Sequence, residues 1–227
     1  MKGRCMRWMV RLASGVLLLL TTLQANQNVE EKFLNAGLVP LSGIDPSIHV
    51  DLVNTDKEKN FFRKDFYGNL QECYLQKEVA LKLQQAQKNL KKERPGYSLL
   101  IMDCARPRSV SKAMYEQLKD TSYKKYVADP KGGSMHNYGA AVDLTVIDDR
   151  GTMLDMGMTP FYKSGIEMFF SFMGHKLSPG LSEEERRNRA LLKSVMQKAG
   201  FSPIALEWWH FNGYEKEIIR SRYEIVE

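Results

Sequence analysis

GGSMHNYGAAVDLTV, residues 132–146, changes character half-way along. Its first part is small and polar, punctuated by Gly132, Gly133 and Gly139, and reads as a turn. From Ala140 to Ile147 the chain is apolar apart from Asp143 and Thr145, and reads as a buried strand. The turn carries His136 and the strand carries Asp143, seven positions apart. In a flat strand, residues an odd number apart point to opposite faces. Asn137-Tyr138-Gly139 supplies a bend through which both side chains can reach one place. Two readings follow: a turn histidine and a strand aspartate that are neighbours by accident, or two ligands of one metal ion. The second requires another ligand from elsewhere.

IALEWWHF, residues 204–211, is the place to look. It reads as a strand, and its two tryptophans require burial. A glutamate and a histidine buried beside them are costly unless something compensates, and a divalent cation compensates well. Of the four histidines, His49, His136, His175 and His210, the last therefore stands out. His136, Asp143 and His210 offer two nitrogens and one oxygen. Three protein ligands with an open position are the usual plan of a catalytic zinc site. Glu207 then stays outside the ligand set, free to act as a general base. Glu207 and His210 are three apart, so they share a site only if the strand bends, and no bend signal stands in that segment. YSLLIM, 97–102, reads as a second buried strand, running into DCARPRS. Arg106, first after that strand and stiffened by Pro107, is placed to meet developing negative charge. Arg108 reads as an ordinary surface arginine.

The rest of the chain frames these pieces. Residues 26 to about 70 look irregular, broken by Gly37, Pro40, Gly43 and Pro46, with a short strand suggested by Ile48, Val50 and Leu52. ECYLQKEVALKLQQAQKNLKKE contains a helix with Val79, Leu83, Ala86 and Leu90 on one face, closed by Pro95 and Gly96. A second helix spans Val110 to Lys119. Asp148 to Gly151 is a hairpin turn. Ser182 with Glu185 forms a capping box before a helix that buries Leu192, Val195, Met196 and Ala199 and stops at Gly200. Helices and strands do not alternate regularly. The expected fold is α+β, a central, mostly antiparallel sheet flanked by helices.

The first 25 residues read as a secretory signal: basic residues, a short leucine-rich core from Leu12 to Leu23, and small residues near Ala25. Residues 26–227 then form a single domain, exported to a periplasm or secreted, with no stable membrane insertion once the signal is cut. The chain has 33 basic and 27 acidic residues, or +6; residues 1–25 hold four of the basic ones and no acid, leaving 29 against 27, or +2. The basic balance thus belongs to the leader, and no nucleic-acid partner is implied. Cys73 and Cys104 remain in the mature chain, either paired or as two buried thiols.

Together CARPRSV (104–110), SMHNYGAAVDLTV (134–146), DMG (155–157) and LEWWH (206–210) resemble, in order and spacing, the zinc D-alanyl-D-alanine dipeptidases of the vancomycin-resistance type. That family is grouped with D,D-carboxypeptidases and the hedgehog domain. The likeness runs from about Asp51 to Phe211. It implies one zinc ion on His136, Asp143 and His210, with Glu207 as catalytic base, Arg106 as transition-state arginine and Ser134 in contact with substrate. The implied reaction is hydrolysis of the D-alanyl-D-alanine dipeptide to free D-alanine, with metal-bound water as nucleophile. The alternatives are a D,D-carboxypeptidase or a peptidase for another small cell-wall peptide. A non-catalytic zinc module on the same fold has no need of Glu207. Two departures from the family pattern stand out. MGMTPFYKS places Tyr162 where an amino-binding aspartate is expected, and DLVNTD lacks a tyrosine common near position 53.

Overall fold

The computed structural model describes residues 28–60, 62–68, 70–121, 124, 129, 131–157, 180–205 and 207–227. The leader, Tyr162 and Leu206 lie outside these. In chain order the elements are α1 (Val29–Asn35), β1 (Val39–Pro40), β2 (His49–Val50), β3 (Tyr74–Leu75), α2 (Lys77–Glu93), β4 (Ser98–Asp103), α3 (Arg108–Leu118), β5 (Ala141–Ile147), α4 (Glu183–Lys198), β6 (Ser202–Ile204), β7 (Glu207–Asn212) and α5 (Lys216–Arg222). A five-stranded sheet runs in the order β2-β4-β5-β7-β6. Only β2 and β4 pair in parallel; the other three pairings are antiparallel. The expected α+β fold with a mostly antiparallel sheet is the one observed.

Period-two patterning explains which face of the sheet does what. On β5, Val142, Leu144 and Val146 are fully buried and share one face. Asp143 and Thr145 face the other way. Helix α2 buries Val79, Leu83, Ala86 and Leu90, and packs on α4 and β4. Each leucine-sized side chain so buried stabilises by about 1.5–3 kcal/mol. Helix α4 begins as its capping box requires: Ser182 Oγ accepts from Glu185 N at 3.1 Å, and Glu185 Oε2 accepts from Ser182 N at 2.6 Å. Its buried residues, Leu192, Val195 and Met196, are those of the expected face. The apolar side of the sheet is therefore covered, and the polar side is left for chemistry.

Three elements differ from expectation. The single strand read over 204–211 is a hairpin, β6 and β7, turning at Ala205. The segment 26–70 contains α1, capped by the Asn28 side chain and anchored by a fully buried Phe33. One anchor in a seven-residue helix leaves no periodic signal to read. Tyr74-Leu75, ahead of α2, is a short strand paired with β1 that the sequence reading did not expect, while α2 itself begins at Lys77 and carries the whole expected apolar face. The turn at Asp148 forms as expected, with Gly151 N donating to Asp148 O at 3.1 Å. Cys73 and Cys104 are buried free thiols beside each other. Burial pushes the Cys73 thiol up, and its hydrogen bond with Cys104 adds to that.

Gly139 ends the turn before β5 with φ of +62°, in the left-handed region. A Cβ there would stand 2.8 Å from Leu38 Cδ2. Gly139→Ala is expected to cost about 1–3 kcal/mol of stability through backbone strain alone. Urea denaturation of the two proteins measures it.

Candidate metal centre

His136 lies in one 3-10 turn, Met135–Tyr138, capped by Ser134, whose Oγ accepts from His136 N at 3.4 Å. Arg106 N donates to His136 O at 3.0 Å, which ties this turn to the chain leaving β4. His136 Nδ1 lies 2.7 Å from Cys104 O. A carbonyl oxygen only accepts, so Nδ1 carries a proton, and in the neutral ring the lone pair is on Nε2. Asp143 and His210 are directly opposed in the β5–β7 ladder and so share its polar face.

The three side chains converge. His210 Nδ1 is 2.9 Å from Asp143 Oδ1 and 3.1 Å from His136 Nε2. His136 Nε2 is 3.4 Å from Asp143 Oδ1. Exposure is 2% for His136 and 7% for Asp143 and His210. A tetrahedral zinc ion with bonds near 2.05 Å has ligand-to-ligand edges of about 3.3 Å. Buried acceptors at that spacing fit one divalent cation and repel one another without it. In the metal-free chain a proton does part of this work. Burial disfavours the His210 imidazolium, but the hydrogen bond and charge of Asp143 outweigh it, and the pKa rises above 6.5. Burial likewise opposes ionisation of Asp143, yet the two imidazoles hold its carboxyl far below the usual range.

A zinc ion held by this cluster would have to displace the proton on His210. Apparent zinc affinity is therefore expected to rise with pH through the raised His210 pKa, above 6.5, and then level off. Competition with a chromophoric chelator from pH 5.5 to 8.5 tests this; an affinity independent of pH contradicts it.

The missing bend for Glu207 comes from strand pairing. Pro203 opposes Phe211, but the next residue, Ile204, opposes Glu207. One step on β6 thus spans four positions on β7, and the surplus buckles the strand. Glu207 Oε2 lies 3.9 Å from His210 Nδ1, with 39% of its side chain exposed. Burial raises its pKa above 4.5, against the lowering influence of His210. That places a proton acceptor at the mouth of the cluster. Trp209 is buried, and Trp208 packs against the Arg189 guanidinium.

Arg106 is held rather than loose. Its Nε donates to Asp103 Oδ2 at 3.1 Å, and its terminal NH2 donates to the same oxygen. Asp103 is buried and also accepts from Tyr67 OH at 2.8 Å, Asn54 Nδ2 at 3.0 Å and Cys104 N at 3.0 Å. Burial disfavours the guanidinium charge, but Asp103 secures it, and Tyr67 and Asp143 add to that. Its charge in turn reaches Glu207. Arg108 instead pairs with Glu227 at 3.3 Å, as befits a surface arginine.

Sequence reading missed the supporting residues. Asn137 accepts from Ser134 N at 2.7 Å and donates to Arg106 O at 2.7 Å and Ser111 Oγ at 2.9 Å, joining both candidate substrate-facing segments. Asn212 faces His210 Nε2 at 2.8 Å. Asn212 could have been found from its His-x-Asn spacing on a strand; Asp103, held by Tyr67 and Asn54 from distant segments, could not. Asp155, of the DMG motif, accepts from Gly157 N at 2.9 Å as a turn residue.

Residues 34–226 match the sequence profile of the M15 peptidases, described as D-ala-D-ala dipeptidase. The chain belongs to the M15 D-ala-D-ala dipeptidase family. Among M15 relatives, it is 32% identical over 174 residues to the D-alanyl-D-alanine dipeptidase of Escherichia coli K12, covering 77% of this chain and 83% of that protein. It is 32% identical over 138 residues to the enzyme of the same name from Enterococcus faecium, covering 51% and 62% respectively. For the Enterococcus faecalis protein of that name the figures are 30% over 157 residues, 60% and 70%. The M15 match takes in the whole sheet and every candidate site residue.

Proposed function

We propose that this chain hydrolyses the D-alanyl-D-alanine dipeptide to free D-alanine, using one zinc ion held by His136 Nε2, Asp143 Oδ1 and His210 Nδ1. The observation that carries this reading is the convergence of those three buried acceptors, with a partly exposed carboxylate beside them and a fixed guanidinium close by. When bound, the cation supplies Lewis acidity, making water acidic near neutral pH and polarising a carbonyl oxygen.

The chain's own residues do the rest. Glu207 takes a proton from the attacking water on an Oε atom and returns it to the nitrogen of the leaving D-alanine. A pKa raised by burial suits a group that must both accept and give. Arg106 holds a positive charge where the carbonyl oxygen becomes negative, and Asp103 keeps it aimed, so little reorganisation is needed during reaction. Ser134 Oγ accepts from His136 N, which leaves its hydroxyl proton to be donated to a substrate oxygen.

A second reading, a D,D-carboxypeptidase, rests on Tyr162 standing where an amino-binding aspartate is expected. A free α-amino group needs an anion; a longer peptide has no such group at that point. The zinc-loaded chain is assayed on D-alanyl-D-alanine and on a longer peptide ending in the same pair. Faster release of D-alanine from the dipeptide is the expected result, and a clear preference for the longer peptide reverses it. The leader motivates the further proposal that the enzyme is exported and meets wall fragments; an intact N-terminus on protein retained in the cytoplasm would refute it. Among the described residues no helix is long and apolar enough to cross a membrane.

A further inference from the structure

The two histidines of the cluster are steadied by different kinds of partner. His136 is held by a backbone carbonyl, that of Cys104. His210 is held by a side chain, Asn212, whose Oδ1 is 2.8 Å from Nε2. Both members of that second pair are buried, His210 at 7% and Asn212 at 3% exposure. Two steps along β7, they sit on the same face of the strand. The Asn212 backbone is anchored by its register opposite Ala141 and Ser202 on the two flanking strands.

A neutral imidazole has one protonated nitrogen and one lone pair. The lone pair that serves the cluster is on Nδ1, so the proton belongs on Nε2. A buried N–H without an acceptor costs about 1–3 kcal/mol, and Asn212 Oδ1 is the acceptor at hand. We propose that Asn212 is a positioning residue that locks His210 in its Nε2–H form and ring orientation, so that Nδ1 is offered to the metal ion. The inference rests on the ligand set proposed above. It also explains why a carboxamide suffices: Asp143 already supplies the anionic ligand, and a neutral acceptor orients the ring without adding a second buried charge.

Two near-isosteric variants separate this role from simple packing. Asn212→Leu fills the volume and removes the acceptor; Asn212→Asp fills it and offers oxygen on both sides. Zinc affinity of each full chain is read by competition with a chromophoric chelator, and the fold of the metal-free proteins by circular dichroism. The Leu variant should bind zinc about 10–100-fold more weakly, as loss of a ligand's outer partner does, and the Asp variant at least as tightly as the parent chain. In the zinc-loaded parent, nitrogen-15 NMR of the imidazoles should show the proton of His210 on Nε2. Parent-like affinity in a folded Leu variant overturns the inference, and so does a proton on Nδ1. A loss in the Asp variant as large as in the Leu variant also overturns it, because the amide NH2 would then be the group facing the ring. If the Leu variant does not fold, the Asp variant and the NMR signal decide. Failure of the parent chain to bind one zinc ion overturns the ligand set itself, a result distinct from all of these.

Discussion

Replacing Glu207 by glutamine is expected to lower kcat for dipeptide hydrolysis by about 10²–10⁴-fold, the usual contribution of a positioned acid-base group. Zinc content should not change. Glu207 lies outside the ligand set, 3.9 Å from the nearest ligand nitrogen, and its side chain is 39% exposed. An isosteric amide there disturbs neither packing nor the buried pairs, so stability should stay within about 0.5 kcal/mol, as for other surface changes. The amide cannot accept a proton at the relevant pH, and the negative charge that faces His210 goes with the carboxylate. The measurement is kcat beside zinc stoichiometry on the same preparation. An unaltered kcat removes Glu207 from the mechanism. A loss of zinc in proportion to activity makes it a ligand instead.

Asp143→Ala should have a larger effect, because it dismantles the site. The variant is expected to retain no zinc after dialysis and to show background hydrolysis only. It removes the sole carboxylate of the ligand set and leaves two imidazoles with nothing to anchor a cation between them. The same substitution should destabilise the metal-free fold in a pH-dependent way. The folded-state pKa of Asp143 is depressed, so its contribution is present above 3.8 and lost as pH falls through the folded value. The folded-state pKa of His210 is raised, so its contribution is present below 6.5 and lost as pH rises through the folded value. The pair therefore stabilises most between these limits. Breaking a buried pair by deleting one partner costs about 3–5 kcal/mol. Urea denaturation in chelator should show a deficit of that order at pH 5.5 and a smaller one at pH 9. Equal deficits at both would mean that the charge pair contributes nothing and only packing was lost.

How far these side chains could be read from sequence depended on the range of the interaction involved. His136 and Asp143 were legible because the turn between them is local. Asn137-Tyr138-Gly139 must bend, and Gly139 with its positive φ is the residue that permits it. The α4 capping box was legible for the same reason, since its two hydrogen bonds join residues three apart. Strand β4 was legible from its apolar run Leu99 to Met102, and all six of its residues are buried. The hairpin at Ala205 was not, because β6 is only three residues long and merges with β7 in an apolar pattern.

By itself, then, the order of turns, caps and apolar runs determined an α+β chain with two histidines and an aspartate as candidate ligands, since each of those signals is a matter of neighbouring residues. Tertiary structure alone decided that Glu207 joins them, because the buckle in β7 arises from unequal pairing with β6. It decided which partner steadies each imidazole, Cys104 O for His136 and Asn212 Oδ1 for His210, because those contacts are set by strand register and by the meeting of two turns. It also decided that Arg106 is rigid. Asp103 can be buried as a charge only where Tyr67 and Asn54, from distant parts of the chain, arrive to satisfy it.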